Sequence, residues 1–178
     1  KDMDDVDWAV PAVTALFTKG IINGKTADEF RPNDNITREE FVKLLIKTFE
    51  LNVLGNGMNF EDVKEEDWYY AYVRSAYYAD IVKGVSETMF GAGQNITRQD
   101  IAVMSCRAAD VSDVKIAETA QEFTFADESD IAEYANDAVR LMQRGGIING
   151  DENGRFNPEA YATRAEAAKI IYNLFLML

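Results

Sequence analysis

The sequence contains no histidine and a single cysteine, Cys106. Without histidine the chain lacks the commonest general base, the commonest metal ligand and any Ser–His or Cys–His nucleophile pair. One cysteine rules out an internal disulfide, so the fold has to be held by its core. No apolar run reaches the ~18 residues of a membrane span. The longest near an end, Ile170 to Leu178, contains Asn173 and reads as the last turns of a buried helix. Nothing at Lys1 resembles a signal peptide, and a targeting sequence is expected elsewhere in a longer parent. Positive charge is scarce: 18 Lys and Arg stand against 31 Asp and Glu, for a net charge of −13. Such a field repels phosphate backbones and makes nucleic acid a poor partner. Any anionic ligand must be held by local cations working against it.

What is present is repetition. Ile-Thr-Arg-Glu-Glu (36–40), Ile-Thr-Arg-Gln-Asp (96–100) and Ala-Thr-Arg-Ala-Glu (162–166) align. Eight residues before Arg38, Arg98 and Arg164 stand Phe30, Phe90 and Phe156, and six before those stand Gly24, Gly84 and Gly150. Each glycine follows an apolar pair: Ile21-Ile22, Ile81-Val82 or Ile147-Ile148. Trp8, Trp68 and Tyr134 lie 30 residues before the three arginines. The units divide as 1–55, 56–115 and 116–178, with connections at Asn52–Asn59 and Val111–Thr124, and are expected to form one domain together. Hydrophobic residues make up 47% of the chain, enough for a substantial core.

Each unit reads as two helices around a loop. The spacing predicts first helices over Trp8–Lys19, Trp68–Ala79 and Ile131–Arg144, ended by Gly20 and Gly146, which suit a left-handed cap, although Asp80 takes that place in repeat two. Second helices are predicted to start after Thr37, Thr97 and Thr163. Each threonine precedes an acid by three residues (Glu40, Asp100, Glu166), the capping-box pattern, closest to ideal in the first and third copies. Apolar stripes such as Phe41, Leu44, Leu45 and Phe49 follow. Strand-like alternation is essentially absent, so the expected class is all-α.

Threonine, acid and phenylalanine are explained by capping and packing. The glycines permit a positive φ, or let a ligand approach the backbone. Trp8, Trp68 and Tyr134 pack between repeats, or offer faces on which a sugar stacks. The arginines are different: at the first helical position a cation is disfavoured by ~0.3–1 kcal/mol, yet all three copies place one there. Either each guanidinium pairs with an acid of a neighbouring repeat, or helix N–H groups and the arginine fork together receive a carboxylate or phosphate. Other signals carry less. Asn35-Ile-Thr37 and Asn95-Ile-Thr97 match a glycosylation sequon whose threonines are needed as caps. Asp151–Phe156 resembles a calcium loop but has Arg155 and Phe156 where a ligand and a glycine belong. Cys106 aligns with Ile46 and Tyr172 and reads as a packed thiol. No catalytic residue, metal site or cofactor is expected.

Gly20-Ile-Ile-Asn-Gly24, Phe30-Arg-Pro32 and Ile36-Thr-Arg-Glu-Glu40, with Gly146-Ile-Ile-Asn-Gly150, Phe156-Asn-Pro158 and Thr163-Arg-Ala-Glu166, resemble the S-layer homology (SLH) repeat of bacterial cell-surface proteins. The resemblance covers nearly the whole chain. It implies three repeats in a pseudo-threefold arrangement around a central three-helix bundle. It also implies an extracellular module that anchors a surface protein non-covalently to a secondary cell-wall polysaccharide, commonly one bearing pyruvate ketals. The ligand would sit in grooves between repeats, near Arg38, Arg98 and Arg164 and near Gly24, Gly84 and Gly150. A module for protein–protein contact or self-assembly of a surface layer is the alternative. Repeat two departs from the pattern with Asp80, Gly91-Ala-Gly93 and Gln99-Asp100, and repeat three with Tyr134.

Overall fold

The computed structural model of the chain describes residues 2–178. Six α-helices form: α1 (Val10–Thr18), α2 (Arg38–Thr48), α3 (Tyr70–Tyr78), α4 (Arg98–Val111), α5 (Asn136–Arg144) and α6 (Arg164–Phe175). Short 3-10 turns at Asp7–Ala9 and Glu133–Ala135 lead into α1 and α5. Among the described residues only isolated bridges resemble strand pairing, so the class is all-α, as expected.

The long helices α2, α4 and α6 start where the threonines place them. Thr37 accepts from the Glu40 N–H while the Glu40 carboxylate accepts from the Thr37 N–H, and Thr163 and Glu166 repeat the exchange. In α4 only half of this box forms, with Thr97 accepting from the Asp100 N–H. The Asp100 carboxylate, one methylene shorter than glutamate, turns instead to Arg38 and Tyr134. The first helices are shorter than the periodicity suggests. Their opening residues form tighter turns, and Ile131 is extended (ψ 127°), so α5 begins at Asn136. All three end as expected. Gly20, Asp80 and Gly146 have φ of 69°, 57° and 67°, and the next residue's N–H returns to Leu16, Ala76 or Met142. This satisfies otherwise orphaned carbonyls.

Each first helix packs not within its own repeat but on the second helix of the repeat before it: α3 on α2, α5 on α4, and α1 on α6 to close the circle. At the centre α2 contacts both α4 and α6. The segments entering the long helices meet in a cyclic set of backbone bonds. Ile36 N–H donates to Ala162, Ala162 N–H to Ile96, and Ile96 N–H to Ile36, at 3.0, 3.2 and 3.1 Å. This ring is the signature of a pseudo-threefold axis. Around it Phe41, Phe90, Phe156, Leu45, Ile96, Ile101 and Ile171 are fully buried, each contributing roughly 1.5–3 kcal/mol of transfer free energy. Cys106 is buried too. Burial, with Asp110 nearby, pushes its thiol pKa up to about 12, and its hydrogen points to the Ala138 carbonyl, which bears out the packed-thiol reading.

An acid in each repeat, not anticipated from the sequence, braces the loop ahead of the long helix. Asp2, Asp62 and Asp127 each accept the N–H of the loop phenylalanine (Phe30, Phe90, Phe156) and of the residue after it. Asp62 also takes the Ala92 N–H. Burial acts to raise the Asp62 pKa, but its backbone donors outweigh this and hold it below the ordinary value.

Candidate functional site: three cavities between repeats

The arginines show a repeating geometry. The Nε of Arg38, Arg98 and Arg164 donates to the carbonyl of Phe90, Phe156 and Phe30, at 3.1, 2.8 and 2.9 Å. Each guanidinium lies over the ring of that same phenylalanine, 4.7–5.4 Å from its centroid. Each also faces the capping-position acid of the next repeat: Arg38 with Asp100 at 2.7 Å, Arg98 with Glu166 at 2.8 Å, and Arg164 with Glu40 at 3.7 Å. The arginine at the first helical turn is therefore a dowel into the neighbouring repeat, which answers why the dipole penalty is tolerated three times. Arg38 and Arg164 are buried, and Arg98 is partly exposed.

The helix N–H groups beside these arginines are largely taken up within the chain. The N–H groups of Arg38, Arg98 and Arg164 donate to the Gln94, Ala160 and Asp34 carbonyls of the adjacent repeat. Gln99 and Ala165 N–H groups are spent on Pro158 and Pro32, and the third N–H of each helix is spent on its capping threonine. An anion would meet chiefly side chains here.

The glycines also need correction. Only Gly84 has a positive φ (76°). Gly24 does not, yet a Cβ on it would lie 2.5 Å from the Thr26 carbonyl oxygen and 2.8 Å from that of Glu29. The loop closes on its own backbone, through Lys25 and Thr26 N–H groups donating to the Glu29 carbonyl. Gly150 is crowded less severely, with Gly154, Arg155 and Phe125 at 3.2–3.3 Å from where a Cβ would lie. Tight loop closure, and at Gly84 a left-handed backbone as well, is what these positions require.

Trp8, Trp68 and Tyr134 are 51%, 56% and 58% exposed, so they are not wedges buried between repeats. They line cavities, and there the expected residues assemble. One cavity gathers Arg164, Gly24 and Trp68, a second Arg38, Gly84 and Tyr134, and a third Arg98, Gly150 and Trp8. Each takes its arginine, glycine and aromatic from three different repeats. All nine residues singled out from sequence thus fall into three equivalent clusters.

Sequence reasoning missed the remaining charges of these cavities. Lys43 lines the first and Lys169 the third, each five residues past a motif arginine, while Val103 takes this place in the second. The constant offset within a known helix was the available signal. The Lys43 amine lies 5.7 Å from the centre of the Trp68 ring. Burial, then the charges of Lys47 and Arg164, lower its pKa against the pull of Glu40. Lys83 and Arg107 add positive charge to the second cavity. There Tyr134 donates to Asp100 at 2.8 Å, so the aromatic is tied to the arginine's own partner. Burial and that acid push the Tyr134 phenol up to about 12.

Clefts of mixed cationic and aromatic lining thus recur three times around one axis. The chain belongs to the S-layer homology domain family, whose profile matches residues 1–42, 59–102 and 124–168, one match per repeat. It is 32% identical over 98% of its length to an amylopullulanase of Thermoanaerobacterium thermosulfurigenes, of which it spans 9%. It is 32% identical over 94% of its length to exoglucanase XynX of Acetivibrio thermocellus, spanning 15% of that protein. To the surface-layer 125 kDa protein of Lysinibacillus sphaericus it is 30% identical over 92% of its length, spanning 14% of that protein. The chain thus corresponds to a small part of each relative. Domains of this family occur in S-layer and cell-surface proteins and serve as non-catalytic anchors to the cell wall. No helix among the described residues is long and apolar enough to cross a membrane.

Proposed function

We propose that this chain anchors its parent protein by binding an anionic, pyruvylated secondary cell-wall polysaccharide in the cavities between repeats. The observation that carries this reading is the composition of the cavities, which bring together one arginine, one loop glycine and one exposed aromatic from three repeats at three places. A pyruvate ketal supplies a carboxylate, which guanidinium and ammonium groups pair with through charge-assisted hydrogen bonds. Sugar rings present apolar faces to Trp8, Trp68 or Tyr134. Several weak sites on one rigid domain, engaging one repeating polymer, raise avidity well beyond a single cavity's affinity.

The arginines carry a second reading, that they only dock repeats or subunits, and their carbonyl and carboxylate partners in the adjacent repeat favour it. The aromatics separate the two. Trp68 is exposed, so Trp68→Ala leaves the core intact; it should weaken binding of fragments of the pyruvylated polysaccharide about tenfold in calorimetric titration, a loss of ~1.4 kcal/mol. Unchanged affinity in that variant would remove the first cavity from the account.

A further inference from the structure

The three cavities share a plan but not a charge. The residue after the loop glycine is Lys25 in the first, Val85 in the second and Asp151 in the third. In the first cavity Lys25 pairs with Glu40, the only acid in its lining. That leaves the lining with a surplus of positive charge: Lys43 makes no ion pair among the described residues, and it shares the space with Arg164, which donates to the Phe30 and Asn23 carbonyls and lies 3.7 Å from the same acid. Two cations that are partly desolvated and repel each other are stabilised by an anion placed between them.

The third cavity repeats the arginine and the lysine as Arg98 and Lys169 but cancels both. Arg98 is paired with Glu166 at 2.8 Å. Asp151 lines the same space, its pKa lowered chiefly by hydrogen bonds from the Arg155 N–H and the Asn157 amide, so it stays ionised and opposes an entering carboxylate. This cavity, of about 450 Å³, also has two aromatic walls. Trp8 is 51% exposed and Tyr161 54%, and at the position of Tyr161 the other repeats carry Asn35 and Asn95. Apolar faces with balanced charge suit an uncharged ring, which pays no electrostatic penalty on entry.

We propose that the cavities select different sugars of one chain: the first an acidic residue through Lys43 and Arg164, the third an uncharged one through Trp8 and Tyr161. This rests on the glycan-binding reading above. The test titrates oligosaccharides from a pyruvylated wall polysaccharide, intact and after mild acid removal of the ketal, into the unaltered protein and into Lys43→Met, Trp8→Ala and Tyr161→Ala. All three substitutions leave the backbone in place, as far-UV circular dichroism will verify. The unaltered protein should bind both forms, the ketal-bearing one more tightly. Lys43→Met should weaken the ketal-bearing form about tenfold and leave the other unchanged. Trp8→Ala and Tyr161→Ala should weaken both forms by the same factor. Equal losses for both forms in Lys43→Met, or a loss confined to the ketal-bearing form in Trp8→Ala, would overturn the division. So would a ketal-free form that does not bind at all, although the glycan reading would then stand. Binding of neither form would overturn both.

Discussion

Arg164→Ala is the perturbation whose size the structure defines best. The side chain is 5% exposed and donates to two main-chain carbonyls, those of Phe30 and Asn23, both at 2.9 Å. Hydrogen bonds from a charged group contribute ~1.5–3 kcal/mol each. Burial of the guanidinium offsets part of this, and truncating one partner of a buried charged network costs ~3–5 kcal/mol in general. The Glu40 carboxylate loses little, being 3.7 Å away and paired with Lys25. A net loss of ~3 kcal/mol is expected, and at about 2–4 °C per kcal/mol for a domain of this size the melting temperature should fall by roughly 10 °C. Scanning calorimetry measures it directly. Arg164→Lys should recover little, because an ammonium cannot reach both carbonyls and the acid with one fork. A fall of less than about 2 °C would refute the dowel role and return the arginine to the ligand alone. Binding measured on arginine variants therefore has meaning only well below their melting temperatures.

Two further outcomes concern the fold. Asp2 and Asp62 titrate below their usual value of 3.8 because loop N–H groups bind their ionised form, opposed in both by desolvation, most strongly in Asp62. The stability they add is complete above about pH 4 and is lost as pH falls through their lowered values. Melting temperature should be flat from pH 7 to 5 and drop below pH 4, and Asp62→Asn should flatten that acid slope; an unaltered slope would contradict the assignment. Ser105 is fully buried among helices with no partner for its hydroxyl among the described residues, at the position of Leu45 and Ile171. Ser105→Ala removes an unsatisfied group and should raise stability by ~1 kcal/mol in denaturant titration, whereas a loss of that size would show that the hydroxyl is bonded.

The parts of this fold set by neighbours in sequence were legible. Helix starts at Thr37, Thr97 and Thr163, left-handed ends at Gly20, Asp80 and Gly146, and the burial of Phe30, Phe90 and Phe156 all follow from local chemistry. What joins repeats was not, because periodicity identifies an apolar face without saying which face covers it. The docking of α1 on α6 links chain segments about 150 residues apart. The arginines were visible as an anomaly, but their answer, a carbonyl and an acid one repeat away, is a long-range fact. The glycines were misread for a related reason: at Gly24 the constraint is the approach of the Glu29 carbonyl, which a φ preference cannot reveal. The site residues came out as a set because they recur, whereas Lys43, Lys169 and Asp151 escaped because they do not recur in all three copies.

Co-sedimentation with purified cell wall, before and after chemical removal of pyruvate, decides whether the cavities hold a carboxylate-bearing wall glycan. The protein should sediment with the intact wall, and most of it should remain in the supernatant once the ketals are gone. Undiminished sedimentation with the stripped wall would contradict that reading.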